Sequence, residues 1–92
     1  MSPRTIWKFP VPLQDFPVIN MPQGAEILQV FNEPGDGTYI HARVDPNALT
    51  LPRKFRLAGT GHRDVSGDYV GSVSIRGSVA PLWFHLFDLG AE

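Results

Sequence analysis

Proline and glycine punctuate this chain so densely that a long helix has nowhere to run. There are 9 of each in 92 residues, and they fall between apolar runs rather than inside them. Glycine reaches positive φ, and proline presets φ while removing a backbone donor. Short strands joined by turns are the natural consequence.

The runs between the breaks carry the alternation of half-buried strands. Thr5 to Phe9 sets Thr5, Trp7 and Phe9 against Ile6 and Lys8, and the prolines at 10 and 12 end it or hold it at a sheet edge. A shorter run, Phe16 to Met21, stops before Pro22 and Gly24. Ala25 to Phe31 is strongly apolar, and Tyr39 to Asp45 alternates cleanly. Between those two, NEPGDG at 32 to 37 supplies the residues a hairpin loop needs. Asp45-Pro46-Asn47 opens a polar connection with room for a short helical turn.

Arg53 to Gly59 then resumes as a strand, with Phe55 and Leu57 on the face of Arg53 and with Lys54 and Arg56 opposite. One face packs and the other is cationic. Tyr69 to Arg76 alternates again, and Gly77-Ser78 turns toward PLWFHLFDL at 81 to 89, which is apolar on both faces. A strand of that kind lies centrally in a sandwich or barrel, or has its outer face covered by another subunit. The expectation is an all-β fold: one domain over residues 1 to 92, a small antiparallel barrel or sandwich of six or seven short strands.

Composition narrows the function classes. With no cysteine, disulfides, thiolate zinc sites and a cysteine nucleophile are excluded together. The formal charge of -1 provides no global field toward nucleic acid, so extended nucleic-acid binding is not expected and any anion site is local. No apolar stretch approaches the ~20 residues of a membrane helix, and MSPRTIWKFP lacks the core of a signal peptide. These features predict a soluble, cytoplasmic protein with no membrane partner. A domain this small buries only roughly 60 to 65 per cent of its unfolded surface, which favours association into a homo-oligomer.

RKFRLAGTGH at 53 to 62 is the sharpest local signal. Gly59 and Gly61 let backbone N–H groups approach an anion, and Lys54 and Arg56 lie a strand-step away. The phosphate loops of known mechanics run into a helix, and none follows here; a plain glycine turn beside solvated charges is the competing reading. His41, His62 and His85 show no metal-ligand spacing, so neither a metal nor a cofactor is expected. His85, in the most apolar run, is either a hydrogen-bonded core histidine or an acid–base group in a pocket with Trp83 and Phe87. Serines 66, 72, 74 and 78 lie in no nucleophile elbow. Trp7, Phe9, Tyr39 and Trp83 offer stacking surfaces, and Arg53, Lys54, Arg56 and Arg76 offer charge.

The segments IWKFPVPLQDFPVINMPQGAEILQV at 6 to 30, ARVDP at 42 to 46, RKFRLAGTGH at 53 to 62, YVGSV at 69 to 73 and LWFHLF at 82 to 87 resemble a family of small uncharacterised proteins from tailed phages and prophages. The resemblance spans nearly the whole chain and implies phage origin and a short β-rich domain, with no activity that transfers to particular residues. His41, in TYIHARVDP, stands where relatives often carry tryptophan; GTGH and His85 match the family pattern. With the residues above, the resemblance leads to an expected non-catalytic binder. It would sequester a small phosphate-bearing, nucleotide-type host signal as a counter-defence factor, through Lys54, Arg56, Gly59, Thr60, Gly61, His62, Trp83 and His85. The alternatives are an interaction module that inhibits a host defence enzyme or nuclease, and a hydrolase of a signalling nucleotide.

Overall fold

A computed structural model describes residues 3–76 and 79–91 of the chain. Seven strands follow one another: β1 (Thr5–Pro10), β2 (Val18–Pro22), β3 (Glu26–Glu33), β4 (Gly37–Val44), β5 (Thr50–Gly59), β6 (Asp68–Arg76) and β7 (Pro81–Ala91). They form two antiparallel sheets, ordered β1-β4-β3 and β2-β5-β7-β6. The all-β expectation holds, and the layered alternative is the one adopted. No helix is present among the described residues.

Alternation accounts for the core. Ile40, Ala42 and Val44 project from β4, and Phe55 and Leu57 from β5, with Leu86 from β7 and Ile19 and Met21 from β2; all are buried. The intervening residues point outward, as period-two geometry requires. The NEPGDG hairpin forms as expected, with the Asp36 N–H donating to the Glu33 carbonyl at 3.0 Å and Gly35 and Gly37 at φ of 76° and 120°. The connection after β4 is a turn rather than a helix. The Ala48 N–H donates to the Asp45 carbonyl, and the Asp45 side chain accepts from the Asn47 N–H. The turn expected at Gly77-Ser78 lies outside the described residues.

The two sheets are tied along one side. Asn32 on β3 donates to the Ser74 carbonyl on β6 and accepts from the buried Thr38 hydroxyl. Nearby, Gly71 on β6 meets Val30 on β3. At the far end of the core, Arg53 holds Asp88 through Nε at 3.1 Å and Nη2 at 2.5 Å, and its Nη1 donates to the Ala25 carbonyl. Strand β7 is central, between β5 and β6. Its inner face is packed through Leu86, but its outer face is only partly covered, with Trp83 54% exposed.

Candidate functional site

The outer face of the four-stranded sheet gathers six of the eight candidate residues, Gly59, Thr60, Gly61, His62, Trp83 and His85. Register explains why a histidine fits there: Ala58 of β5 and Ser72 of β6 flank it in the ladder, and both are small. The Ser72 hydroxyl lies 2.7 Å from His85 Nδ1, and the Thr60 hydroxyl 3.0 Å from Nε2. Tyr69 Oη extends the series, 2.7 Å from Ser72 Oγ. A neutral imidazole has one donor and one acceptor nitrogen, so Thr60, His85, Ser72 and Tyr69 form one directional hydrogen-bond chain. Phe87 lies beneath Tyr69, ring centroids 5.6 Å apart.

The GTGH segment forms a tight turn beside that chain. The His62 N–H donates to the Gly59 carbonyl at 3.1 Å, and Gly61 takes φ +95°. The imidazole of His62 then folds back to accept from the Gly59 N–H, 3.1 Å to Nδ1. A Cβ at position 59 would lie 3.3 Å from His62 Nε2, so glycine lets the ring approach. Accepting at Nδ1 places the proton of neutral His62 on Nε2. The amides of Gly59 and His62 are therefore used inside the turn. An anion cradle at this turn would draw on Thr60 and Gly61.

The turn is the common wall of two surface hollows. One, of about 470 Å³, lies between Thr60 and His62 on one side and Pro81, Leu82 and Trp83 on the other. The second, of about 230 Å³, lies over Ala58, His85 and Phe87, with Val65 at its rim. Gly59, Thr60, His62 and Trp83 thus share one cleft, and Gly61 and His85 line the adjoining hollow.

The two cations of the expected site stand apart from both hollows. Arg56 is covered instead of facing solvent: its side chain is 11% exposed, its guanidinium carbon lies 4.7 Å from the Phe16 ring centre, and Nη1 is 4.0 Å from Asp15. Its buried Nε has no hydrogen-bond partner. Lys54 is six residues before Thr60 on an extended strand, about 20 Å away at strand rise. The continuous cationic face read from the alternation is therefore broken, because Phe16 folds over Arg56. Arg53 is committed to Asp88.

The three histidines do not converge: His62 and His85 line one hollow, and His41 is remote from both. His41 lies on β4, on the outer face of the other sheet, 3.3 Å from Gln29 and tilted against Phe31 with ring centroids 4.3 Å apart. Among the described residues no group of three His, Cys, Asp or Glu stands close enough to hold a metal ion. Two members of the hydrogen-bond chain, Ser72 and Tyr69, escaped the sequence reading. The register that pairs Arg76 with Pro81 brings Ser72 opposite His85, and a bulge between Tyr69 and Gly71 then turns Tyr69 to the same face.

The profile of a domain of unknown function, DUF7352, matches residues 2–92. The chain belongs to the DUF7352 family. No curated protein and no solved structure matches it. Membership in DUF7352 is consistent with the uncharacterised, β-rich family expected from the segments above and carries no assigned activity. No helix among the described residues is long and apolar enough to cross a membrane.

Proposed function

We propose that this DUF7352 domain is a non-catalytic binding protein that takes a small, flat, polar ligand of the nucleotide type in the cleft between Trp83 and the Gly59 to His62 turn. The observation that carries this reading is the exposed Trp83 indole sharing a cleft with Thr60 and with His62, whose Nδ1 is engaged by the Gly59 amide. A ring stacks on the indole at about 1–3 kcal/mol, and hydrogen bonds to its edge fix orientation. Phosphate oxygens would meet His62 and the Thr60 and Gly61 amides. His85 is already bonded at both nitrogens and has no carboxylate in its chain, which favours holding a ligand over converting it. With the resemblance to phage and prophage proteins, the role we propose is sequestration of a phosphate-bearing host signal as a counter-defence factor.

A protein partner is the second reading, favoured by the exposure of Phe16, Tyr69 and Leu82, at 60%, 62% and 54%. Native mass spectrometry of the protein with a nucleotide panel and with host lysate separates the two readings, followed by heat release of any bound molecule. Sequestration predicts intact ligand recovered from wild type and at least about a tenfold loss of affinity in Trp83→Ala. A co-purifying protein without ligand supports the second reading, converted ligand supports a hydrolase, and uptake of no nucleotide overturns the first.

A further inference from the structure

Of the four sheet edges, two cover each other, and two, β1 and β2, have no strand neighbour on their outer side among the described residues. The edges of β3 and β6 abut each other through the Asn32 to Ser74 bond. Of β1 and β2, strand β2 is the shorter, five residues ending in Pro22 against six for β1. Strand β1 pairs only with β4 and has no neighbour on its other side among the described residues. An edge lysine commonly blocks such a strand. Lys8 does not serve that purpose, because its ammonium is drawn back over its own sheet, 2.8 Å from Glu33 and 4.5 Å from the Tyr39 ring centre. Ile6 and Trp7, on opposite faces of this open edge, are 59% and 41% exposed.

The backbone pattern says which groups the edge offers. The Val11 N–H donates to the Thr38 carbonyl, continuing the register in which Phe9 faces Ile40 and Trp7 faces Ala42. Hydrogen-bonded pairs alternate along an antiparallel ladder, so Thr5, Trp7 and Phe9 spend their backbone groups on β4. Arg4, Ile6 and Lys8 therefore direct theirs outward. Pro10 also faces outward, where its missing N–H loses nothing internally.

We propose that β1 pairs antiparallel with β1 of a second copy of this chain, Trp7 opposite Trp7 on the two-fold axis, joining the two three-stranded sheets into one. The alternatives are poorer. Centring on Ile6 sets Arg4 opposite Lys8 and opposes like charges, and centring on Lys8 opposes two lysines. Centring on Phe9 pairs Lys8 with Pro10, which cannot donate, and centring on Thr5 shortens the overlap. In the Trp7 register, Ile6 and Lys8 exchange both backbone bonds in each half, and the Arg4 N–H reaches the Pro10 carbonyl. The two indoles, on the core-facing side of β1, then close the sandwich mouth together. This interface is separate from the Trp83 cleft and does not depend on any ligand.

The test is oligomeric state by native mass spectrometry and light scattering, using Ile6→Pro, whose lost N–H serves no bond within the monomer. Wild type is expected as a dimer at micromolar concentration. Ile6→Pro should weaken it at least about 100-fold, through lost hydrogen bonds and a blocked edge, with the monomer's circular dichroism unchanged. Val18→Pro, the matched change on β2, should leave the dimer intact. The chain has no cysteine, so Trp7→Cys introduces a lone thiol whose Cα lies about 4.5 Å from its mate across the axis, within disulfide reach. Rapid cross-linking of that variant in mild oxidant confirms the register. A monomeric wild type, a dimer that survives Ile6→Pro, or one that dissolves on Val18→Pro overturns the proposal.

Discussion

The outer faces of the two sheets are built from similar residues and put them to opposite use. On the three-stranded sheet, charge meets its complement at once: Lys8 holds Glu33, Arg43 holds the Glu26 directly across the ladder, and Phe31 packs against His41. On the four-stranded sheet, hydroxyls and an imidazole form a chain while Trp83, Tyr69 and Phe16 remain exposed. A face that satisfies its own groups has little left for a ligand. The less settled face is the one with recognition surface to offer.

The largest expected effect removes both faces together. Phe55 is fully buried between the sheets, so Phe55→Ala should destabilise by about 3–5 kcal/mol in urea unfolding. If ligand uptake survived in the folded fraction while the Lys8 face changed, the faces would not share one core.

Next is Gly67→Ala. A Cβ there would lie 2.8 Å from the Asp88 carbonyl oxygen, an overpacking clash of about 1–3 kcal/mol. It should displace the segment from 60 to 67 over the four-stranded sheet. Amide chemical shifts are expected to move around Thr60 and His85 and to stay put around Lys8 and Glu33.

A paired substitution sharpens the contrast between the two strand histidines. His85→Phe leaves the Ser72 and Thr60 hydroxyls without their shared partner and should cost about 1–2 kcal/mol, with weakened ligand uptake. His41→Phe should stay within about 0.5 kcal/mol and leave uptake untouched. Equal effects from thermal melts and titration would erase the distinction.

The smallest effect is a pH dependence on the self-satisfied face. The hydrogen bond to Glu33, with that carboxylate's charge adding and desolvation opposing, raises the Lys8 pKa above the ordinary lysine value. Folding raises this pKa, so the stabilisation is fully present below the ordinary value and lost as pH rises through the raised one. The difference in melting midpoint between wild type and Lys8→Met should therefore persist at neutral pH and close at strongly alkaline pH. A difference that persists at strongly alkaline pH would detach the effect from the Lys8 charge.

Much of the fold was legible because strand alternation and turn chemistry are local. Phe55 and Leu57 point inward and the NEPGDG hairpin closes as its residues predict. The site was legible only in part. Thr60, His62, Trp83 and His85 drew notice by residue type, but Arg56 looked solvated because nothing local shows that Phe16 will cover it. Ser72 looked like an ordinary strand serine, since its meaning depends on standing opposite a residue 13 positions away.

By itself the sequence determined the class of structure: proline and glycine spacing forbade long helices, and period-two hydrophobicity marked which side of each strand would be buried. Only the tertiary structure decided how the strands divide between two sheets and which polar groups meet. Pairing partners are chosen by register and by the packing of a common core, and both join residues far apart in the chain. For that reason the Tyr69 to Thr60 chain and the open β1 edge become visible only once every strand has its neighbour.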